Sequence, residues 1–209
     1  MKRLRLPKLY PITDARLSGL SHAEQVRRLA AGGARLIQLR EKHADPRDFG
    51  RAAAEAAAAA RALGVLLIVN DRADIALAGG ADGLHLGQDD LDPAAARRVV
   101  GDDFLVGYST HNVEQAAAAA RLPVDYVAIG PVFGTSTKEN PDPVVGLEGV
   151  AHARAALGAD VPLVAIGGIT AENAPSVLAA GADSVAVVSA LLARPEEIEQ
   201  RTREFLRGM

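Results

Sequence analysis

The sequence has no cysteine, which excludes a disulfide framework, a cysteine-ligated zinc site and a thiol nucleophile. It has no tryptophan either, and three tyrosines and four phenylalanines are too few for a platform on which nucleobases stack. An excess of one charge is also missing. The 23 Lys plus Arg and 26 Asp plus Glu are spread along the chain, and a net charge of −3 argues against a broad nucleic-acid surface. No apolar run approaches the roughly 18–20 residues that cross a bilayer, so no membrane partner is expected. The basic start from Met1 to Pro7 is not followed by an apolar stretch and does not read as a signal peptide. Twenty glycines and eleven prolines among 209 residues stay well below low-complexity composition. The expectation is one soluble, cytoplasmic domain over residues 1–209, with volume enough for a real core. A homo-oligomer stays open, because surface apolar patches cannot be told from core in an Ala-rich chain.

What is present is an alternation of two segment types. Short apolar runs predict strands at Leu9–Ile12, Leu36–Leu39, Leu66–Asn70, Gly83–Leu86, Leu105–Ser109, Tyr126–Ile129, Leu163–Ile166 and Ser184–Val188. Between them, amphipathic or Ala-rich stretches predict helices at Ser21–Ala31, Asp48–Leu63, Asp92–Val99, Val113–Arg121, Gly149–Leu157, Ala171–Ala180 and Pro195–Leu206. Ser21 and Glu24 have capping-box spacing, and Pro93 and Pro195 suit first-turn positions. A glycine join recurs in Ala31-Gly32-Gly33-Ala34, Ala78-Gly79-Gly80-Ala81 and Ala180-Gly181-Ala182. There glycine supplies a left-handed helix end just before a strand. Eight such β/α units predict an α/β fold, a (β/α)8 barrel. An open doubly wound sheet would want a Gly-rich turn after its first strand, and Tyr10-Pro11-Ile12-Thr13-Asp14 is not one.

In such a barrel the chemistry collects where strands end. Strand 2 runs into Gln38-Leu39-Arg40-Glu41-Lys42, and a period of two puts Gln38, Arg40 and Lys42 on one side and Leu39 and Glu41 on the other. Strand 3 meets Asn70-Asp71, and strand 4 meets Gly87-Gln88-Asp89-Asp90. Two strand ends thus bring carboxylates to one rim, a donor set for a hard divalent cation, although Asp89 and Asp90 also suit helix caps. Asp92, just before Pro93, is the better cap and leaves Asp90 free. Strand 5 ends at Ser109-Thr110-His111. His111 reads as a hydrogen-bonding rim residue, an exposed loop residue or a general base, the last without an identifiable orienting group. The long loop from Val132 to about Val145 carries Gly134-Thr135-Ser136-Thr137-Lys138 and suits closure over an anion. Gly167-Gly168 after strand 7, with the amides after Val188-Ser189, suits a phosphate cradle.

These segments together resemble the thiamine phosphate synthase family over nearly the whole chain. The resemblance rests on Gln38 to Lys42, Val69 to Arg72, Gly87 to Asp90, Ser109 to His111, Gly130 to Lys138, Ile166 to Thr170 and Val188-Ser189. It implies a TIM barrel transferase that condenses 4-amino-2-methyl-5-(diphosphooxymethyl)pyrimidine with 4-methyl-5-(2-phosphooxyethyl)thiazole, releasing pyrophosphate with Mg²⁺ as cofactor. It further implies pyrimidine-diphosphate contacts at Gln38, Leu39, Arg40, Glu41, Lys42, Asn70, Ser109 and Lys138. The implied thiazole-phosphate contacts are Thr135, Ser136, Thr137, Gly168, Val188 and Ser189, and the metal ligands are Asp71 and Asp90. Arg40, Lys42, Ser109 and Lys138 would act on the departing diphosphate. Gly134 departs from the family pattern, which often has proline there, and the Glu139 to Pro143 segment is less basic than usual. A thiazole tautomerase on the same barrel would not need the cation-and-carboxylate half. A non-catalytic binder could lose the acidic pair, and an aldolase would want a lysine inside a strand, where none of the four lysines falls.

Overall fold

The computed structural model of the chain describes residues 5–135 and 142–209. Eight parallel strands close into a barrel in sequence order, β1 (Leu9–Thr13), β2 (Leu36–Leu39), β3 (Leu66–Asn70), β4 (Gly83–Leu86), β5 (Leu105–Thr110), β6 (Tyr126–Ile129), β7 (Leu163–Ile166) and β8 (Ser184–Val187). The ring closes where Leu9, Tyr10 and Pro11 pair with Val185, Ala186 and Val187. Around it run α1 (Ala15–Ser18), α2 (His22–Ala31), α3 (Pro46–Ala62), α4 (Ala73–Gly79), α5 (Pro93–Val100), α6 (Val113–Ala119), α7 (Gly146–Leu157), α8 (Ala174–Ala179), α9 (Ser189–Leu192) and α10 (Ile198–Arg207). A 3-10 turn at Pro195–Glu197 leads into α10. The α/β reading, a (β/α)8 TIM barrel, is thus borne out. No helix among the described residues is long and apolar enough to cross a membrane.

Strands covered on both faces must be apolar on both, and the alternation sorts their side chains into two cores. Ile37, Leu39, Leu67, Val69, Leu84, Leu86 and Val106 point outward and pack with Val26 and Leu29 of α2 and Ala53, Ala56 and Ala60 of α3. Tyr10, Ile12, Leu36, Ile68, Tyr126, Ala128, Val164 and Ala186 point inward and fill the barrel. Alanine on α3 lets neighbours approach closely: a Cβ placed on Gly79 of α4 would lie 3.0 Å from that of Ala53.

Helix starts follow the local chemistry. Ser21 accepts from the Glu24 amide, Asp45 from those of Arg47 and Asp48, and Asp92 from those of Ala94 and Ala95, each satisfying orphan donors. The predicted start of α3 at Asp48 moves to Pro46, because Asp45 is the cap. In the glycine joins, Gly33, Gly80 and Gly181 hold φ of +110°, +71° and +115°. The predicted Ala171–Ala180 helix contracts to α8, since Asn173 spends its side chain closing the turn onto Gly168 and Thr170.

The N-terminal face of the barrel is held by one device used twice. Asp125 accepts from the Val106 amide and from Arg97, whose guanidinium also donates to the carbonyls of Gly101, Phe104 and Pro123. Asp183 accepts from the Leu163 amide and from Arg154, which also donates to Gly158, Val161 and Gly181. Each arginine ties a helix end and the next loop to the start of a strand, opposite the face where strand ends gather polar groups.

Candidate active site

A cavity of about 1220 Å³ opens at the C-terminal ends of the strands. Gln38, Arg40, Lys42, Asn70, Asp71, Asp90, Ser109, Thr135, Gly168, Val188 and Ser189 all line it. Ser136, Thr137 and Lys138 lie outside the described residues. The period of two at the end of β2 explains which of its residues arrive. Gln38, Arg40 and Lys42 face the cavity, whereas the side chains of Leu39 and Glu41 do not reach it. Leu39 is wholly buried in the outer core. Glu41 turns back toward α2, where it lies 3.3 Å from His22 Nε2 and accepts from the amides of His43 and Ala44 at 2.8 and 3.2 Å. His22 in turn meets the Thr13 hydroxyl at 2.7 Å through Nδ1. Burial pushes Glu41 up, but the His43 amide, His22 and the Ala44 amide outweigh it and leave the carboxyl below its ordinary range. Of the Gln38 to Lys42 run, it is thus Gln38, Arg40 and Lys42 that bring side chains to the cavity wall. Glu41 buckles the loop that carries its cationic neighbours.

Arg40 lies 3.5 Å from Asp14, and Lys42 pairs with Asp71. Asp71 also accepts from the Asn70 side-chain amide at 2.6 Å. Asp90 folds back to accept from the Gly87 amide at 2.7 Å. Burial holds Asp90 above the usual carboxylate range, and the adjoining Asp71 carboxylate adds to this, against the Gly87 amide and Lys42. Two carboxylates from β3 and β4 in such proximity repel unless a proton or a cation lies between them. No cluster of three or more His, Cys, Asp or Glu suited to a metal occurs among the described residues. Asp71 and Asp90 offer hard oxygen donors but only part of a coordination sphere, which suits a Mg²⁺ ion completed by phosphate oxygens and water.

Beneath this rim lies a buried polar layer in which the sequence reading had singled out Gln38 and Ser109 alone. Gln38 Nε2 donates to the Tyr10 hydroxyl at 3.2 Å, and the hydroxyls of Tyr10 and Tyr126 are 2.8 Å apart. His85 bridges the Tyr126 hydroxyl at 3.0 Å and the Ser109 hydroxyl at 2.8 Å. Burial lowers His85 to about 4, so the ring is neutral at pH 7. Tyr10 and His85 line the cavity and Tyr126 does not. The signal that would have found Tyr10 and His85 is the alternation itself, which places each two residues from an inward-facing neighbour.

His111 is a rim residue. Its Nδ1 donates to the Gly130 carbonyl at 2.9 Å and lies 3.4 Å from Asp142. The base of the loop after β6 is pinned to β7, with the amides of Val132 and Phe133 donating to the carbonyls of Ile166 and Gly167 at 2.9 and 3.0 Å. Gly167 and Gly168 hold φ of +107° and +62°. A Cβ on Gly168 would sit 2.5 Å from the Gly134 carbonyl oxygen, so this approach of two backbones requires glycine.

Comparison with known proteins gives a consistent result. A family model described as thiamine monophosphate synthase matches residues 9–191. The chain is 50% identical over 212 residues to the thiamine-phosphate synthase of Koribacter versatilis, covering 97% of this chain and 96% of that one. It is 49% identical over 189 residues to the thiamine-phosphate synthase of Methanoregula boonei, covering 90% and 87%. Among solved structures, the thiamine phosphate pyrophosphorylase of Pyrococcus furiosus superposes with a TM-score of 0.86 at 36% identity, over 96% of this chain and 94% of that one.

Proposed function

The chain belongs to the thiamine monophosphate synthase family, and on that premise we propose that it joins the diphosphooxymethyl pyrimidine to the phosphooxyethyl thiazole by a loose displacement in which diphosphate leaves early. It is a transferase, as its relatives at high identity are thiamine-phosphate synthases. The observation that carries the finer reading is the meeting of Arg40 and Lys42 from β2, Asn70 and Asp71 from β3, Asp90 after β4 and Ser109 of β5 around one cavity. A tautomerase or a non-catalytic binder of the thiazole phosphate would have no use for this half.

In the proposed reaction the bond between the pyrimidine CH2 and the diphosphate oxygen breaks, and its electron pair leaves on the diphosphate. The electron-rich aminopyrimidine delocalises the positive charge left on the CH2. The thiazole nitrogen lone pair then forms the new C–N bond. No proton has to move between substrates, so no general base is required. What the site must supply is stabilisation of charge developing on the leaving group. Arg40 and Lys42 are placed for this, with Ser109 as a further donor, and the family resemblance adds Lys138. Asp71 and Asp90 would hold Mg²⁺, which when bound neutralises diphosphate charge. Gly168, Val188, Ser189 and Thr135, on the opposite wall, suit the thiazole phosphate, and the resemblance adds Ser136 and Thr137. The loop after β6 would keep water from the cationic carbon.

The test is to mix both phosphorylated substrates with and without Mg²⁺ and to assay thiamine phosphate and pyrophosphate. Equal amounts of both products, only with Mg²⁺ present, support the reading. Tautomerisation of a thiazole phosphate without pyrophosphate release contradicts it.

A further inference from the structure

Gln38, Tyr10, Tyr126, His85 and Ser109, from β2, β1, β6, β4 and β5, form an unbroken hydrogen-bond chain across the inside of the barrel. Both ends line the cavity, while Tyr126 in the middle is wholly buried and does not. The packing is built around this chain. Tyr126 meets Tyr10 edge-on, with centroids 5.9 Å apart, and stacks on His85 at 5.5 Å. A Cβ on Gly107 of β5 would fall 2.1 Å from Tyr126 Cζ and 2.5 Å from His85 Nδ1. The strand gives up a side chain there so that the two rings can meet.

The direction of the chain follows from its first member. An amide NH2 can only donate, and Gln38 Nε2 faces the Tyr10 oxygen. Besides Gln38, the hydrogen-bond partner of the Tyr10 hydroxyl among the described residues is the Tyr126 oxygen, at 2.8 Å, and donating there gives the Tyr10 hydrogen a protein acceptor. The Tyr126 hydrogen goes on to His85 Nδ1, so the neutral ring carries its proton on Nε2 and donates it to Ser109 Oγ. If Tyr126 donated toward Tyr10 instead, the Tyr10 hydrogen would have no protein acceptor in these hydrogen bonds, a cost for a side chain only 1% exposed. Ser109, already accepting from His85, has its own hydrogen left for the cavity. A diphosphate offers only acceptors, so this is the polarity it needs.

We propose that Gln38, Tyr10, Tyr126 and His85 are positioning residues that fix the His85 tautomer and thereby turn the Ser109 hydroxyl into an obligate donor to an anionic oxygen of the bound diphosphate. This rests on the reading that a pyrimidine diphosphate occupies this half of the cavity. Tyr126→Phe is the cleanest probe, because it removes one buried hydroxyl and keeps the ring.

The first measurement needs no substrate. Nitrogen NMR of the full chain labelled with 15N-histidine, with His85 identified by its loss in His85→Asn, reports which ring nitrogen bears the proton. The proposal expects Nε2–H. The second is a kinetic cycle. Tyr126→Phe and Ser109→Ala should each lower kcat roughly ten- to hundredfold with little change in KM for the pyrimidine diphosphate, the loss expected for one hydrogen bond to a charged group. The double variant should be no slower than Ser109→Ala alone, since both remove the same interaction. An Nδ1–H tautomer, a normal kcat in Tyr126→Phe, or additive losses would each overturn the proposal. If the unmodified chain makes no thiamine phosphate, the reading of the substrate fails instead, and the tautomer still decides the polarity by itself.

Discussion

The Asp71 amide donates to the His85 carbonyl at 2.8 Å from a residue held at φ +66°, the one positive φ outside glycine among the described residues. A left-handed conformation costs a non-glycine residue about 1 kcal/mol or more, and Asp and Asn bear it best. The strain turns the end of β3 so that the Asp71 carboxylate meets Lys42 and the neighbourhood of Asp90.

Asp71→Asn keeps a residue suited to that backbone while removing the charge. Turnover is expected to fall at least about a hundredfold, with the thermal midpoint little changed. Steady-state kinetics beside a thermal melt checks this. Near-normal turnover would remove Asp71 from the proposed metal site.

Glu41 should matter without touching substrate. In Glu41→Ala the amides of His43 and Ala44 and the buried His22 lose their partner, and the loop bearing Arg40 and Lys42 loosens. KM for the pyrimidine diphosphate should rise several-fold more than KM for the thiazole phosphate. Glu41→Gln, which keeps an acceptor oxygen, should recover most of the loss. Equal effects of the two substitutions would point to a direct role for the charge.

Arg154 serves the opposite face. Arg154→Met keeps much of the apolar stem but removes the donors to Gly158, Val161, Gly181 and Asp183. Stability should fall by roughly 2–3 kcal/mol, as for hydrogen bonds to a charged group, while kcat and KM stay close to normal. Urea unfolding and kinetics on the same preparation separate the two; a large kinetic defect with normal stability would contradict this assignment.

Acid should unfold the barrel partly through His85. Its ring is lowered to about 4 by burial, whereas in the unfolded chain it titrates near 6.5. Between those values the unfolded chain binds the extra proton, so the contribution is full above about pH 6.5 and is lost as the pH falls toward 4. The whole shift is worth ~3 kcal/mol. His22, also lowered by burial, acts in the same direction. Urea midpoints from pH 7 to 4.5 should fall less steeply in His85→Gln than in the natural chain; parallel slopes would contradict this.

The strands were legible because each is a short apolar run closed by glycine or by a polar residue, and five of the eight match the structure end to end, the other three differing by one residue at the C-terminal end. The helix α4 was not, since it is short, follows Arg72 without a side-chain cap and contains Gly79. At the site, alternation alone separates Gln38, Arg40 and Lys42 from Leu39 and Glu41. A contiguous motif blurs that distinction, because a family resemblance marks a stretch of chain and not the face a side chain takes. Tyr10, Tyr126 and His85 were hidden for another reason: alternation can place Tyr10 and His85 on the inner face, but their joint role depends on meeting Tyr126 across the barrel.

The central claim is that Asp71 and Asp90, from separate strands, act jointly with the cations of β2 on one diphosphate. Calorimetric titration of inorganic pyrophosphate into the natural chain, Asp71→Asn and Asp90→Asn, each with and without Mg²⁺, tests it most directly. Binding to the natural chain should strengthen markedly with Mg²⁺, and that enhancement should vanish in both variants. Equal enhancement in all three proteins would contradict the account.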